Sequence, residues 1–120
     1  MLRGIRGATT VANNDKEEIL QATEELLHQV IEQNNVIPEH VASIQFTMTN
    51  DLNAVFPAEA VRALKGWMHV PLLCSSEIAV EGALPLCIRV LMTVNTEVNQ
   101  NEIQHVYLEK AIALRPDLVS

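Results

Sequence analysis

The amino-acid sequence predicts an α+β (mixed α/β) fold, a mixed β-sheet packed with helices around one core. Three observations point there: one long helix-periodic stretch, several short strand-like runs on either side of it, and no repeat, low-complexity tract or linker to divide them. With 120 residues, 48% of them hydrophobic and 19% charged, the expectation is a single domain over 1–120 that needs neither disulfides nor a metal. Aromatic residues are only 3% of the chain, so aliphatic side chains must dominate the packing.

Residues 2–11 read as an opening strand through Ile5, Thr9, Thr10 and Val11, with Gly4 and Gly7 suited to close backbone approach. Asn14 with Glu17 three residues on resembles a capping box. Ile19, Leu20, Leu26, Leu27, Val30 and Ile31 then keep helical spacing to about Gln33, and Asn34-Asn35 end the helix. Glu17, Glu24, Glu25 and Glu32 form its solvated side. Pro38 opens a short turn of helix. In 43–49, Ile44, Phe46 and Met48 alternate with polar residues, the pattern of a half-buried strand.

After an Asn50-Asp51 turn, Pro57 suits the first position of a short helix carrying Ala60, Val61 and Leu64, closed by Gly66 and anchored by Trp67. Residues 70–74 read as a brief strand, 75–85 as a loop turning at Glu81-Gly82, and 87–94 as the most strand-like run. One or two helical turns are expected over 101–107 and a last strand over 108–114, before Pro116 and a mobile tail at 117–120.

Fifteen acidic against eight basic residues give a net charge of −7, which opposes binding to nucleic acid or an anionic membrane through a general positive field. Any anionic ligand therefore needs a local arginine cluster. No apolar run approaches the roughly 20 residues that cross a bilayer, and the first residues lack the apolar core of a signal peptide, so a cytoplasmic location is expected. Cys74 and Cys87 have no Cys-x-x-Cys spacing, and His28, His40, His69 and His105 lack metal-ligand spacing; no metal and no catalytic histidine are expected.

Arg89 is the most informative residue, because it interrupts Cys87-Ile88-Arg89-Val90-Leu91-Met92, a run that otherwise belongs inside the protein. A buried guanidinium requires a partner. An internal ion pair with Glu77 or Glu109, a group on a neighbouring subunit and an anionic ligand each satisfy that requirement. Arg6 and Arg115 also lie in or at the end of predicted strands, and three converging planar forks suit a small dicarboxylate or phosphate. The alternative is that two of the three are surface residues.

Glu77 falls in a polar loop where it can meet a substrate hydroxyl, hold an arginine or face solvent. Cys74 has no basic neighbour to activate its thiol, which favours a packing or weak hydrogen-bonding role over a nucleophilic one. Tyr107, the sole tyrosine, can reach a carboxylate with its hydroxyl while its ring packs. No phosphate-binding glycine loop, nucleotide motif or Ser/His/Asp set is present.

Four blocks carry a family resemblance. Arg3-Gly4-Ile5-Arg6-Gly7-Ala8-Thr9-Thr10-Val11 resembles the amino terminus of AroH-class chorismate mutases. So do Ala54-Val55-Phe56-Pro57-Ala58, Cys87-Ile88-Arg89-Val90 and His105-Val106-Tyr107-Leu108-Glu109-Lys110-Ala111 in their own places, over nearly the whole chain.

The resemblance implies an isomerase that rearranges chorismate to prephenate without a cofactor, in a homotrimer of pseudo-barrel form with sites at subunit boundaries. It implies that Arg6, Arg89 and Tyr107 grip the substrate carboxylates, with Arg89 also facing the ether oxygen. Glu77 and Cys74 would contact the ring hydroxyl. Phe56, Ala58, Arg62, Leu72, Leu73 and Leu114 would form the pocket wall, and Arg115 would belong to a segment covering the entrance. The chain departs from several relatives at Glu59, where they carry lysine near the pocket mouth. Two other functions fit an arginine cluster: an imine or enamine deaminase on a similar trimeric fold, which should lack the Arg89 and Tyr107 blocks in this form, and a non-catalytic carboxylate-binding module, which should leave chorismate unchanged.

Overall fold

Strand alternation decides the architecture. The computed structural model describes residues 1–114, in which β1 (Leu2–Thr10), β2 (Val41–Met48), β3 (Leu72–Ser76), β4 (Cys87–Asn95) and β5 (Val106–Tyr107) form one sheet ordered β3-β2-β4-β1-β5. β4 runs antiparallel to β1 and β2, whereas β2 with β3 and β1 with β5 are parallel, so the sheet is mixed and the α+β expectation holds.

One face is apolar. Register pairs Ile5 and Ile44 with Met92, and Gly7 and Phe46 with Val90. Helix α1 (Lys16–Asn34) lays Leu26, Leu27 and Val30 over these residues, while α2 (Glu59–Arg62) adds Ala60 and Val61. At Gly7 helix and sheet pack closely. A Cβ there would lie 2.9 Å from Val90 Cγ1 and 3.1 Å from Leu26 Cδ1, which accounts for a glycine within a strand.

The other face carries Leu73, Gln45, Leu91 and Arg6 in one row across the strands, and Ser75, Thr47, Arg89, Ala8 and Tyr107 in the next. Among the described residues its packing is confined to one end. There the 3-10 helix Glu109–Leu114 sets Ala111 against Ala8 and Cys87, with Leu84, Tyr107 and Leu114 alongside. Leu73 and Leu91 remain exposed.

Three local readings are corrected. The cap of α1 is Asp15, whose Oδ2 accepts from Glu18 N at 3.1 Å, one residue past Asn14. Asn14 instead accepts from the backbone N–H groups of Asn53 and Ala54, each at 3.0 Å, and so pins the loop before α2. Helical turn over 101–107 is limited to the 3-10 turn Gln100–Glu102. Beyond it the Asn34 side chain brackets Gln104, accepting from its N–H and donating to its carbonyl at 2.8 Å each, and leads the chain extended into β5.

The expected strand over 108–114 is the 3-10 helix Glu109–Leu114. Glu109 sits at φ 53°, which turns the chain after Leu108, and Ala111 N donates to Leu108 O at 3.0 Å. The apolar run Ala111-Ile112-Ala113-Leu114 lacks the period that separates a short strand from a helix, and its alanines tolerate the helical alternative. Residues 115–120, including Arg115 and the tail, lie outside the described residues. Among those described, no helix is long and apolar enough to cross a membrane.

Candidate active site

Arg89 is not buried, contrary to the reading of its neighbours. In β4 the sequence Ile88, Val90, Met92 points to the helices, while Cys87, Arg89 and Leu91 point the opposite way, and Arg89 keeps 44% of its side chain exposed. The run looked fully interior because Cys87 and Leu91 on the open face are also apolar. Cys87 is covered by Ala111; Leu91 is not.

The partner of Arg89 is Glu77, one of the two acids offered by the sequence. Arg89 Nε lies 3.2 Å from Glu77 Oε2, and Thr47 Oγ1 donates to the same oxygen at 2.7 Å. Glu77 is therefore no solvated loop acid. Its backbone N–H donates to Met48 O at 2.9 Å, which carries the β2–β3 pairing one residue past Ser76 and turns the carboxylate onto the open face. Nε–H is one of five guanidinium donors, so the ion pair fixes Arg89 without exhausting its capacity for a ligand.

Arg6, Gln45, Thr47, Arg89, Leu91 and Tyr107 line a cavity of about 290 Å³ on this face, floored by Gly7, Ala8 and Val90. Tyr107 arrives through the β1–β5 pairing opposite Ala8. Arg6 is held where its backbone N–H donates to His105 Nδ1 at 2.9 Å. His105 thus serves the backbone of the site. Two cations and a phenol around a shallow apolar floor suit a small dianion, and the hydroxyl of Thr47 and amide of Gln45 add polarity that strand alternation alone did not mark as functional.

Cys87 lies beneath this cluster. Burial pushes its thiol up to about 11, with the Arg89 charge pulling the other way. It is a packed neutral group rather than a nucleophile.

A second, larger cavity of about 620 Å³ opens at the β3 edge, lined by Lys16, Leu52, Phe56, Glu59, Cys74 and Ser76 among others. Among the described residues it shares no lining with the first. Phe56 is 69% exposed, an unusual position for a large ring in a chain with few of them. Cys74 is half-buried and faces the helix side in register with Phe46. Ala58 and Leu72 pack against the main core, Arg62 is exposed on α2, Leu73 stands on the open face, and Leu114 packs beside Cys87. The proposed residues thus divide into two groups, Arg6, Glu77, Arg89 and Tyr107 at the open face and Phe56 with Cys74 in the lining of the larger cavity. Sequence reading missed Lys16, among the described residues the sole cation lining the larger cavity, because its neighbours Glu17 and Glu18 read as a solvated helix start.

A family model described as chorismate mutase type I matches residues 2–118. The chain belongs to that family. Chorismate mutase AroH of Bacillus subtilis (strain 168) is 57% identical over 118 residues, covering 98% of this chain and 93% of that protein. Chorismate mutase AroH of Thermus thermophilus is 50% identical over 121 residues, covering 100% and 98%. A solved chorismate mutase from Clostridium thermocellum superposes with a TM-score of 0.89 at 46% identity, over 92% of this chain and 97% of that one. Chorismate mutases are isomerases of aromatic biosynthesis.

Proposed function

We propose that residues 1–120 act as one chorismate mutase domain of a cytoplasmic homotrimer, converting chorismate to prephenate for phenylalanine and tyrosine synthesis. The observation that carries this reading is Arg89. It stands on an uncovered sheet face, steadied through Nε by Glu77, in a cavity that it shares with Arg6 and Tyr107.

In the [3,3]-sigmatropic shift the carbon–oxygen bond breaks ahead of carbon–carbon bond formation, and negative charge grows on the ether oxygen. A guanidinium fixed before the reaction stabilises that charge with little reorganisation. Arg6 and Tyr107 join Arg89 in holding the two carboxylates, and the grip keeps the enolpyruvyl arm over the ring, removing rotational freedom in advance. Glu77 and Cys74 contact the ring hydroxyl. The wall is Phe56 with Ala58, Arg62, Leu72, Leu73 and Leu114, and Arg115 belongs to the covering segment. No proton transfer, cofactor or metal enters the reaction.

The trimer is supported by the division of the site. The arginine-lined cavity and the cavity of Phe56 and Cys74 have separate linings among the described residues, and a neighbouring copy that supplies the second half would bring both kinds of wall to one ligand. The exposed Leu73 and Leu91 on the arginine face suit burial against such a copy.

Incubating the purified protein with chorismate tests the reading. Loss of chorismate absorbance with prephenate as product is expected. Unchanged chorismate would instead favour the deaminase or carboxylate-binding alternatives.

A further inference from the structure

We propose that Thr47 is a positioning residue for Glu77 and, through it, for Arg89, an inference that rests on the active-site reading above. Thr47 lies on β2 directly opposite Arg89 on β4. Its hydroxyl donates at 2.7 Å to the carboxylate oxygen that Arg89 Nε meets at 3.2 Å, and it lines the same cavity. One oxygen of Glu77 therefore takes two donors from two adjacent strands.

A carboxylate beside arginine ordinarily favours a two-pronged pair, with each oxygen on a separate N–H. Such a pair would consume a guanidinium donor that the ligand needs. Thr47 opposes this rotation by occupying Oε2 and setting the carboxylate plane, so that Arg89 stays bound through Nε while its remaining donors serve the cavity. The β-branched side chain suits the task, since its χ1 is restricted and its hydroxyl is aimed by the strand. Valine would fill the same space and lose the donor.

The test is a cycle between Thr47→Val and Glu77→Gln, read by kcat and KM, with Thr47→Ser as the conservative variant and melting temperature as the folding control. Thr47→Val is expected to lower kcat on the order of tenfold with a smaller change in KM, the scale of one hydrogen bond to a charged group. Thr47→Ser should recover most of that loss, and in the E77Q background Thr47→Val should lower kcat no further. Should Thr47→Val not fold, Thr47→Ala is measured with the same expectation.

Wild-type kcat in the valine variant overturns the proposal. So does an equal loss with and without the Glu77 carboxylate, which would mark Thr47 as a packing residue. An Arg89→Met control separates this from the reading beneath it. If that variant is inactive while Thr47→Val is normal, only the role of Thr47 fails; if it is fully active, the site itself has been misassigned.

Discussion

The two faces of the sheet carry side chains from the same five strands, one residue out of phase, and they are built on opposite terms. The face under α1 is a closed aliphatic surface in which Ile5, Leu26, Leu27, Ile44, Phe46 and Met92 are fully buried. The other face displays Arg6, Arg89, Tyr107 and Thr47 between exposed leucines. Stability and chemistry are therefore separable here. Substitutions under the helix should cost folding and leave turnover per folded molecule intact, whereas substitutions on the open face should do the reverse.

The sharpest expected contrast pairs Arg89→Met with Phe46→Ala. Arg89→Met should lower kcat by about a hundredfold or more, the scale of a lost transition-state donor, with a nearly unchanged melting temperature. Phe46→Ala should destabilise the fold by about 3–5 kcal/mol in denaturant unfolding. Near-normal turnover in the first would break the assignment of the open face, and a severe stability loss there would break the separation.

A smaller effect is expected at the larger cavity. Lys16→Gln should raise KM by roughly threefold to tenfold with little change in kcat, as for loss of uniform attraction on a dianion, and the effect should shrink at high salt. An unchanged KM would remove Lys16 from the site. Cys74→Ser should retain much of the activity, since a hydrogen-bonding role survives the exchange; complete inactivation with an intact fold would refute that role.

Cys87 should differ from Cys74 in reactivity. Its folded pKa is raised to about 11 from an ordinary 9.0, so the folded chain keeps a proton that the unfolded chain releases in that window. The thiol's contribution to stability is present below pH 9 and falls as pH rises toward 11. At pH 8 a thiol reagent should label Cys74 in native protein and Cys87 only after unfolding.

Much of this was legible in the sequence because strand and helix periods are local properties. The alternation of Ile44, Phe46 and Met48 marked β2, and the 3.6-residue spacing from Ile19 to Ile31 marked α1. The sequence offers Arg89 an internal acid, Glu77 or Glu109, or an anionic ligand, and the structure pairs it with Glu77. Less visible were features set by distant contacts. Arg89 seemed buried because its apolar neighbours Cys87 and Leu91 share the open face for different reasons, one covered by Ala111 and the other left exposed. Glu109 turns the chain at a positive φ that residue type does not announce, so a strand was expected where a 3-10 helix folds over the sheet. Thr47 looked like the polar half of an alternating strand, and its bond to a carboxylate on another strand exists only in three dimensions.

Whether one copy's open face works against another copy's cavity, as proposed, is decided by mixing two inactive variants. Arg89→Met disables the open face, and Phe56→Asp, at an exposed position, sets a repelling carboxylate in the larger cavity. Unfolded together and refolded as mixed assemblies, the two should regain roughly a quarter of wild-type turnover, the share of sites that draw an intact face from one chain and an intact cavity from another if the proposed trimer forms. Activity no higher than that of the two variants refolded separately would contradict it.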